Sequence, residues 1–153
     1  MKYVFLNLIG LLFVLETKAQ CEDSLSFPVT NPPCYPDFIP VCGCDGTTYV
    51  NFCYWQYAAL NQYSEGPCEQ VAFNFYPNPV VEYINLRIAT RLETDVNLYI
   101  FDRNGNIMYY DFLQQMTNEQ LIIPVYGFRQ GIYFILAETN GETFSRKFVK
   151  WEI

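Results

Sequence analysis

Residues 42–53 read Cys42-Gly43-Cys44-Asp45-Gly46-Thr47-Thr48-Tyr49-Val50-Asn51-Phe52-Cys53, a dozen positions that hold half of the chain's 6 cysteines. Asp45-Gly46 is a turn dipeptide between two short extended pieces, and Thr47–Val50 has the β-branched and aromatic composition of a strand. Asn51 is a residue type that caps helices, because its side-chain oxygen accepts from a free amide of the first turn. A helix from about Phe52 to Leu60 would follow, presenting Phe52, Trp55, Ala58, Ala59 and Leu60 as a partly apolar surface over the hairpin. The local pattern predicts a small disulfide-rich α+β module.

Working outward, the remaining cysteines are Cys21, Cys34 and Cys68, and none follows Cys68. That partition divides the chain into two modules. An even cysteine number in so short a stretch reads as a disulfide framework, since a module of this size buries too little apolar surface to hold itself together. Three bridges at about 2–4 kcal/mol each would supply the deficit. Spacing alone leaves 15 connectivities open for six cysteines. A zinc site is disfavoured because Cys42-Gly43-Cys44 is tighter than the usual two-residue ligand spacing and the chain has 0 histidines.

The first residues set the compartment. Met1 and Lys2 precede an apolar run from Tyr3 to Leu15, and Thr17-Lys18-Ala19 puts small residues at the two positions a signal peptidase reads. Residues 1–19 are therefore expected to be a signal peptide, with the mature chain starting at Gln20. The apolar run is shorter than the roughly 20 residues of a membrane-crossing helix, so no transmembrane span is expected in the mature chain. Net charge is −7, and losing Lys2, Lys18 and Glu16 makes it more negative. Such a balance argues against nucleic acid, which requires clustered Lys and Arg. Absence of histidine excludes Ser-His and Cys-His catalysis and His-metal chemistry. Asp37, Asp45, Asp102 and Glu138 read as turn or surface carboxylates rather than an acid–base pair. The expectation is a non-enzyme without a cofactor.

Beyond Val71 the composition turns aromatic and β-branched. Candidate strands are Ala72–Tyr76, Glu82–Ile88, Asp95–Asp102, Asn106–Phe112, Gln120–Val125, Ile132–Glu138 and Glu142–Lys150, with Asn104-Gly105 and Asn140-Gly141 as tight hairpin turns. About seven short strands at this spacing predict an all-β sandwich.

The cysteine-rich stretch from Cys21 to Cys68 resembles a Kazal-type serine protease inhibitor: Pro40-Val41-Cys42-Gly43, the Asp45-Gly46 turn, Thr48-Tyr49, Asn51, Cys53 at the head of a helix, and Glu65-Gly66-Pro67-Cys68. Cys44 departs from the commoner family pattern, which places that cysteine within the helix, and is similar to bacterial-type relatives. The resemblance implies pairing of Cys21 with Cys44, Cys34 with Cys53 and Cys42 with Cys68. It also implies an exposed substrate-like loop over Tyr35, Pro36, Asp37, Phe38 and Ile39, with Pro36 facing the specificity pocket of an extracellular serine protease, a subtilisin-like one preferred. Asn51 matches the family asparagine that braces this loop. Proline has no N–H to donate to the enzyme and fills a deep pocket poorly, so a non-inhibitory interaction or spacer module is the alternative.

The C-terminal stretch, from about Phe73 to Lys150, resembles the type A sorting domain of type IX secretion in the Bacteroidetes lineage. The resemblance rests on Phe75-Tyr76-Pro77-Asn78-Pro79, the run Val96–Asp102 with Gly105, Gly131-Ile132-Tyr133-Phe134, and Arg146-Lys147-Phe148-Val149-Lys150. It implies recognition by the type IX machinery, removal by its sortase-like peptidase, and release or surface attachment of the cargo. Tyr76, Pro77, Asn78, Pro79, Gly105, Gly131, Lys147 and Lys150 are the motif residues. Asp23-Ser24-Leu25 resembles the short O-glycosylation acceptor of the same lineage. The expected organisation is a signal peptide over 1–19, a Kazal-like domain over 20–68, a linker over 69–71 and a sorting domain over 72–153.

Overall fold

The computed structural model describes Cys21 and residues 33–152. The expected signal peptide and its cut before Gln20, and the acceptor Asp23-Ser24-Leu25, lie outside the described residues.

In the first module, β1 (Val41–Gly43), β2 (Thr48–Tyr49) and β3 (Tyr63–Glu65) form a three-stranded antiparallel sheet in the order β2-β1-β3, with α1 (Phe52–Tyr57) between β2 and β3. Phe52, Trp55 and Tyr63 pack ring on ring at 4.7–5.1 Å, and of the three Trp55 is the buried one. Disulfides Cys21–Cys44, Cys34–Cys53 and Cys42–Cys68 close the module, with Cα–Cα distances of 5.6, 5.8 and 4.7 Å. A side chain at position 43 would collide with its surroundings, because a Cβ there would lie 2.5 Å from Asp45 Oδ1 and 2.9 Å from the Tyr49 ring.

The remainder is one sheet. β4 (Val71–Tyr76), β5 (Tyr83–Asp102), β6 (Ile107–Pro124), β7 (Gly131–Thr139) and β8 (Glu142–Lys150) are antiparallel throughout, in the order β4-β5-β7-β8 with β6 on the other side of β5. One edge of β5 serves β4 along Asn85–Thr90 and β7 along Asn97–Asp102, while its other edge is paired with β6 along both stretches. Between these stretches the register shifts, Gln115 takes a positive φ of 47°, and its N–H donates to Asp95 Oδ1 at 2.9 Å. Such irregularities sharpen the bend of a paired ribbon. The sheet therefore curls over itself, and Ile84, Leu86 and Ile88 of one half face Val96, Leu98 and Ile100 of the other, all 0% exposed.

The curl is closed by main-chain bonds. Val80 N–H donates to Val149 O, and Trp151 N–H donates to Val80 O, both at 2.8 Å. At the opposite end, Asn140 (φ 49°) and Gly141 (φ 78°) turn β7 into β8, the left-handed pair that a two-residue hairpin requires.

These findings correct the expected fold class of a small α+β domain plus a seven-strand sandwich. The described chain is nearly all β, and its one helix ends at Tyr57 because Ala59 leaves helical space at φ 56°. Glu82–Ile88 and Asp95–Asp102 are one strand, as are Asn106–Phe112 and Gln120–Val125. The reason is visible in the connecting residues. Neither Ala89–Thr94 nor Leu113–Glu119 contains glycine or proline, so each strand runs on through the register shift instead of breaking, and the polar stretches become the bend.

Phe148, 0% exposed and stacked 5.5 Å from Tyr133, ties the last strand into the core. Phe148→Ala is expected to cost about 3–5 kcal/mol, whereas Leu92→Ala, 72% exposed at the bend, should stay within about 0.5 kcal/mol. Urea unfolding measures both; equal losses would refute the packing of the two halves around this ring.

Candidate functional site

The segment Tyr35–Ile39 joins no strand or helix and lies against the first module through Asn51 and Val50. Cys34–Cys53 anchors its start to α1, and Ile39 N–H donates to Val50 O at 3.1 Å to fix its end. Tyr35 and Ile39 project into solvent at 81% and 63% exposure, Pro36 and Asp37 are exposed, and Phe38 turns inward at 8%.

Asn51 sits behind this segment, buried, with an extended backbone at φ −161°. Its Oδ1 accepts from Tyr54 N–H at 3.3 Å and so caps α1. Its Nδ2 donates to Tyr35 O at 3.0 Å and to Asp37 O at 2.9 Å. One amide thus satisfies a helix end and two carbonyls of the exposed segment, and flipping it would set donor against donor and acceptor against acceptor. Below it, Asp45 accepts from Thr47 N–H and from Tyr49 hydroxyl, each at 3.0 Å. Burial pushes this carboxyl upward, but the hydrogen bonds from Thr47 and Tyr49 outweigh it and hold the group below its ordinary value. The turn under the segment is therefore held by an ionised side chain.

The face of the segment away from Asn51 lies against the curled sheet. Arg87 Nη1 donates to Pro36 O, and Asn118 Nδ2 donates to Phe38 O at 2.6 Å. The Arg87 guanidinium also lies over the Tyr76 ring, 5.4 Å from its centre. Beside this contact an open groove is lined by Tyr35, Ile39 and Phe52 from one module and by Arg91, Leu92 and Asn118 from the other. Arg87 and Asn118 were not legible as partners of the segment. The contacts span 51 and 80 residues of sequence, and no periodicity links positions so distant.

The sorting-motif residues gather mostly at one end of the curl. Tyr76, Pro77, Asn78 and Pro79 lead the chain out of β4 past the end of β8, where Asn78 Oδ1 accepts from Val149 N–H at 3.0 Å. Gly131 lies opposite Lys150, whose side chain is 2% exposed and donates through Nζ to Trp151 O at 2.9 Å. Tyr133 lies opposite Asp102, which brings the Gly105 turn (φ 85°) beside the start of β7. Hydrogen bonds from the Asn106 side chain and backbone, then from Asn104, hold the Asp102 carboxyl below its usual range and keep that turn closed. Lys147 stands apart, exposed opposite Phe134.

Among the described residues no cluster of His, Cys, Asp or Glu is arranged to hold a metal ion, and no helix is long and apolar enough to cross a membrane. No curated protein matches the chain. A family profile does: the secretion system C-terminal sorting domain matches residues 74–151. This assignment places the protein at the cell surface or in the extracellular space, with the type IX machinery as its export partner. Because the match runs from within β4 to the residue that closes the curl after β8, and so takes in half of the sequence, the chain belongs to the family of proteins exported by a secretion system C-terminal sorting domain.

Proposed function

We propose that the disulfide-closed module is a substrate-like inhibitor of an extracellular serine peptidase, carried outward by the sorting module and separated from it by a surface sortase. The observation that carries this reading is the triple use of Asn51. Its two bonds to Tyr35 O and Asp37 O fix the main chain on either side of Pro36, with the Pro36–Asp37 peptide between them. A peptide held this way loses little further freedom on binding, and cut ends remain in place for resealing. The resemblance to Kazal-type inhibitors supports the reading through the same residues. Pro36 favours the rival, a displayed module that engages no peptidase pocket, because it offers neither an N–H nor a long side chain.

Three outcomes are expected. A module ending before Val71 should inhibit at least one member of a panel containing subtilisin-, trypsin-, chymotrypsin-, elastase- and prolyl-specific peptidases, and Pro36→Leu should tighten binding to a subtilisin- or chymotrypsin-like enzyme by about two to three decades. That figure combines one recovered hydrogen bond at about 1 kcal/mol with a buried leucine at about 1.5–3 kcal/mol. Inhibition constants measure this, and silence from both proteins against the whole panel would leave the spacer reading standing.

Asn51→Asp separates brace from cap. Aspartate retains the oxygen that accepts from Tyr54 N–H but has no donor for Tyr35 O and Asp37 O, so helix capping persists while the segment loosens. Inhibition should weaken about tenfold to a hundredfold and the segment should be cut faster, and the melting temperature should fall as well because a buried carboxylate oxygen then faces two carbonyls. An inhibition constant identical to that of the parent module would contradict the brace.

Deleting Val71–Ile153 should leave the three bridges intact, since all lie between Cys21 and Cys68, while stranding the protein in the periplasm. Fractionation and mass measurement of the oxidised product test this; surface display of the truncated chain would remove the sorting module from the export route.

A further inference from the structure

Extended main chain alternates its carbonyls from side to side. In Tyr35–Phe38 one pair, Tyr35 O and Asp37 O, points to Asn51. The other pair, Pro36 O and Phe38 O, points away from the first module, and these oxygens accept from Arg87 and Asn118 of the curled sheet. All four carbonyls are therefore engaged, two from within the module and two by the sorting module.

We propose that the outer face of the β4–β5–β6 half of the sheet is a binding site for Tyr35–Ile39, which holds the segment as a peptidase would and closes it to peptidases while the two modules remain joined. The proposal rests on the inhibitory reading for its consequence but not for its geometry. A serine peptidase attacking Pro36–Asp37 must take Pro36 O into its oxyanion hole, where donors sit about 2.7–3.1 Å from that oxygen. Arg87 already donates to it. The flanking oxygen, Phe38 O, would serve main-chain pairing with an enzyme in the way an added strand does, and Asn118 holds it.

The surroundings support a built contact rather than a casual touch. Phe38 is 8% exposed and borders, with Ala72, Phe73 and Asn74, a small cavity at the seam. Arg91 reinforces the same seam from two atoms: its Nη1 donates to Cys68 O at 3.2 Å and its N–H to Gln70 O at 3.0 Å. The exit of the first module is thus tied down next to the docked segment. Glu69 and Arg146 add an exposed ion pair at 3.7 Å, which contributes little by itself. Tyr35, Pro36 and Ile39 remain exposed, so the site reads main chain and leaves these side chains uncovered.

Release follows from separation of the modules. Once the sorting module is cut away, Pro36 O and Phe38 O lose their partners and the segment presents both to the next receptor with matching donors. The peptidase-facing side then opens outside the cell and not before.

The test uses the full mature chain. Arg87→Met with Asn118→Ala removes both donors while keeping an unbranched apolar stem over Tyr76; Asn118→Asp alone is a second, milder variant that sets an acceptor against Phe38 O. Two readouts are taken: inhibition constants against the peptidase panel, and the carbonyl carbon resonances of residues 35–38. The double variant should inhibit about tenfold or more tightly than the parent full chain, approaching the module alone. Resonances of Pro36 and Phe38 should move while those of Tyr35 and Asp37 stay, and in Asn118→Asp that of Phe38 should move by itself. Movement of these resonances with no inhibition by any form, the module alone included, would end the inhibitor reading and uphold the docking site. Unmoved resonances in both variants would overturn the docking site, and moved resonances with unchanged inhibition, where the module alone inhibits more tightly, would overturn the closure.

Discussion

Main-chain pairing on both edges of β5 is the constraint on which the rest of the structure depends. A strand pairs on two edges only, and β5 divides one of them between β4 and β7 while giving the other to β6. Both halves of the sheet are therefore covalently and cooperatively one object. The bend between them is fixed by side chains: Thr139 Oγ1 donates to Asp95 O at 2.8 Å and lies 3.0 Å from Thr94 Oγ1. With the bend set, Ile84, Leu86 and Ile88 share one core with Val96, Leu98 and Ile100 and with Ile135 and Phe148 of the following strands. The same bend exposes the outer face of Arg87 and Asn118 to the cysteine-rich module.

The relation of sequence to structure follows from the range of the interactions. Features governed by neighbours were legible: the Asp45-Gly46 and Asn140-Gly141 turns need positive φ at glycine, and Asn51 caps the helix it precedes. The sorting module was legible through the order of its motifs, which the family profile matches over residues 74–151. The fold class was misread where a polar stretch looked like a loop. Ala89–Thr94 carries the composition of a connection, yet a strand lacking glycine and proline continues as long as a partner strand supplies hydrogen bonds, and that partner lies elsewhere in the chain. Helix α1 was overextended because alanine at 58 and 59 favours helix locally, whereas the chain must turn there to place Tyr63 against Trp55.

Asn51 shows how few polar atoms position the candidate loop. A buried amide without partners would destabilise the module by about 1–3 kcal/mol, so the same side chain that organises the segment also makes any displaced arrangement unfavourable. The helix that Asn51 caps carries Phe52 and Trp55, which pack with Tyr63. Below, Asp45 ties Tyr49 and Thr47 together at the turn. The loop is thus carried on a few pairwise contacts from within its own module, while its outward side depends on residues of another module.

Strand β8 closes the sheet only at its far end, through Val80, and among the described residues its remaining outer margin has no partner strand. An unpaired margin of this kind is a template on which a second chain could add, and the residues there answer that hazard. Glu142, Arg146 and Lys147 are exposed along it, placing charges of both signs where an incoming strand would have to desolvate them. Those three side chains disfavour edge-to-edge pairing between copies for as long as the sheet remains part of the chain in transit.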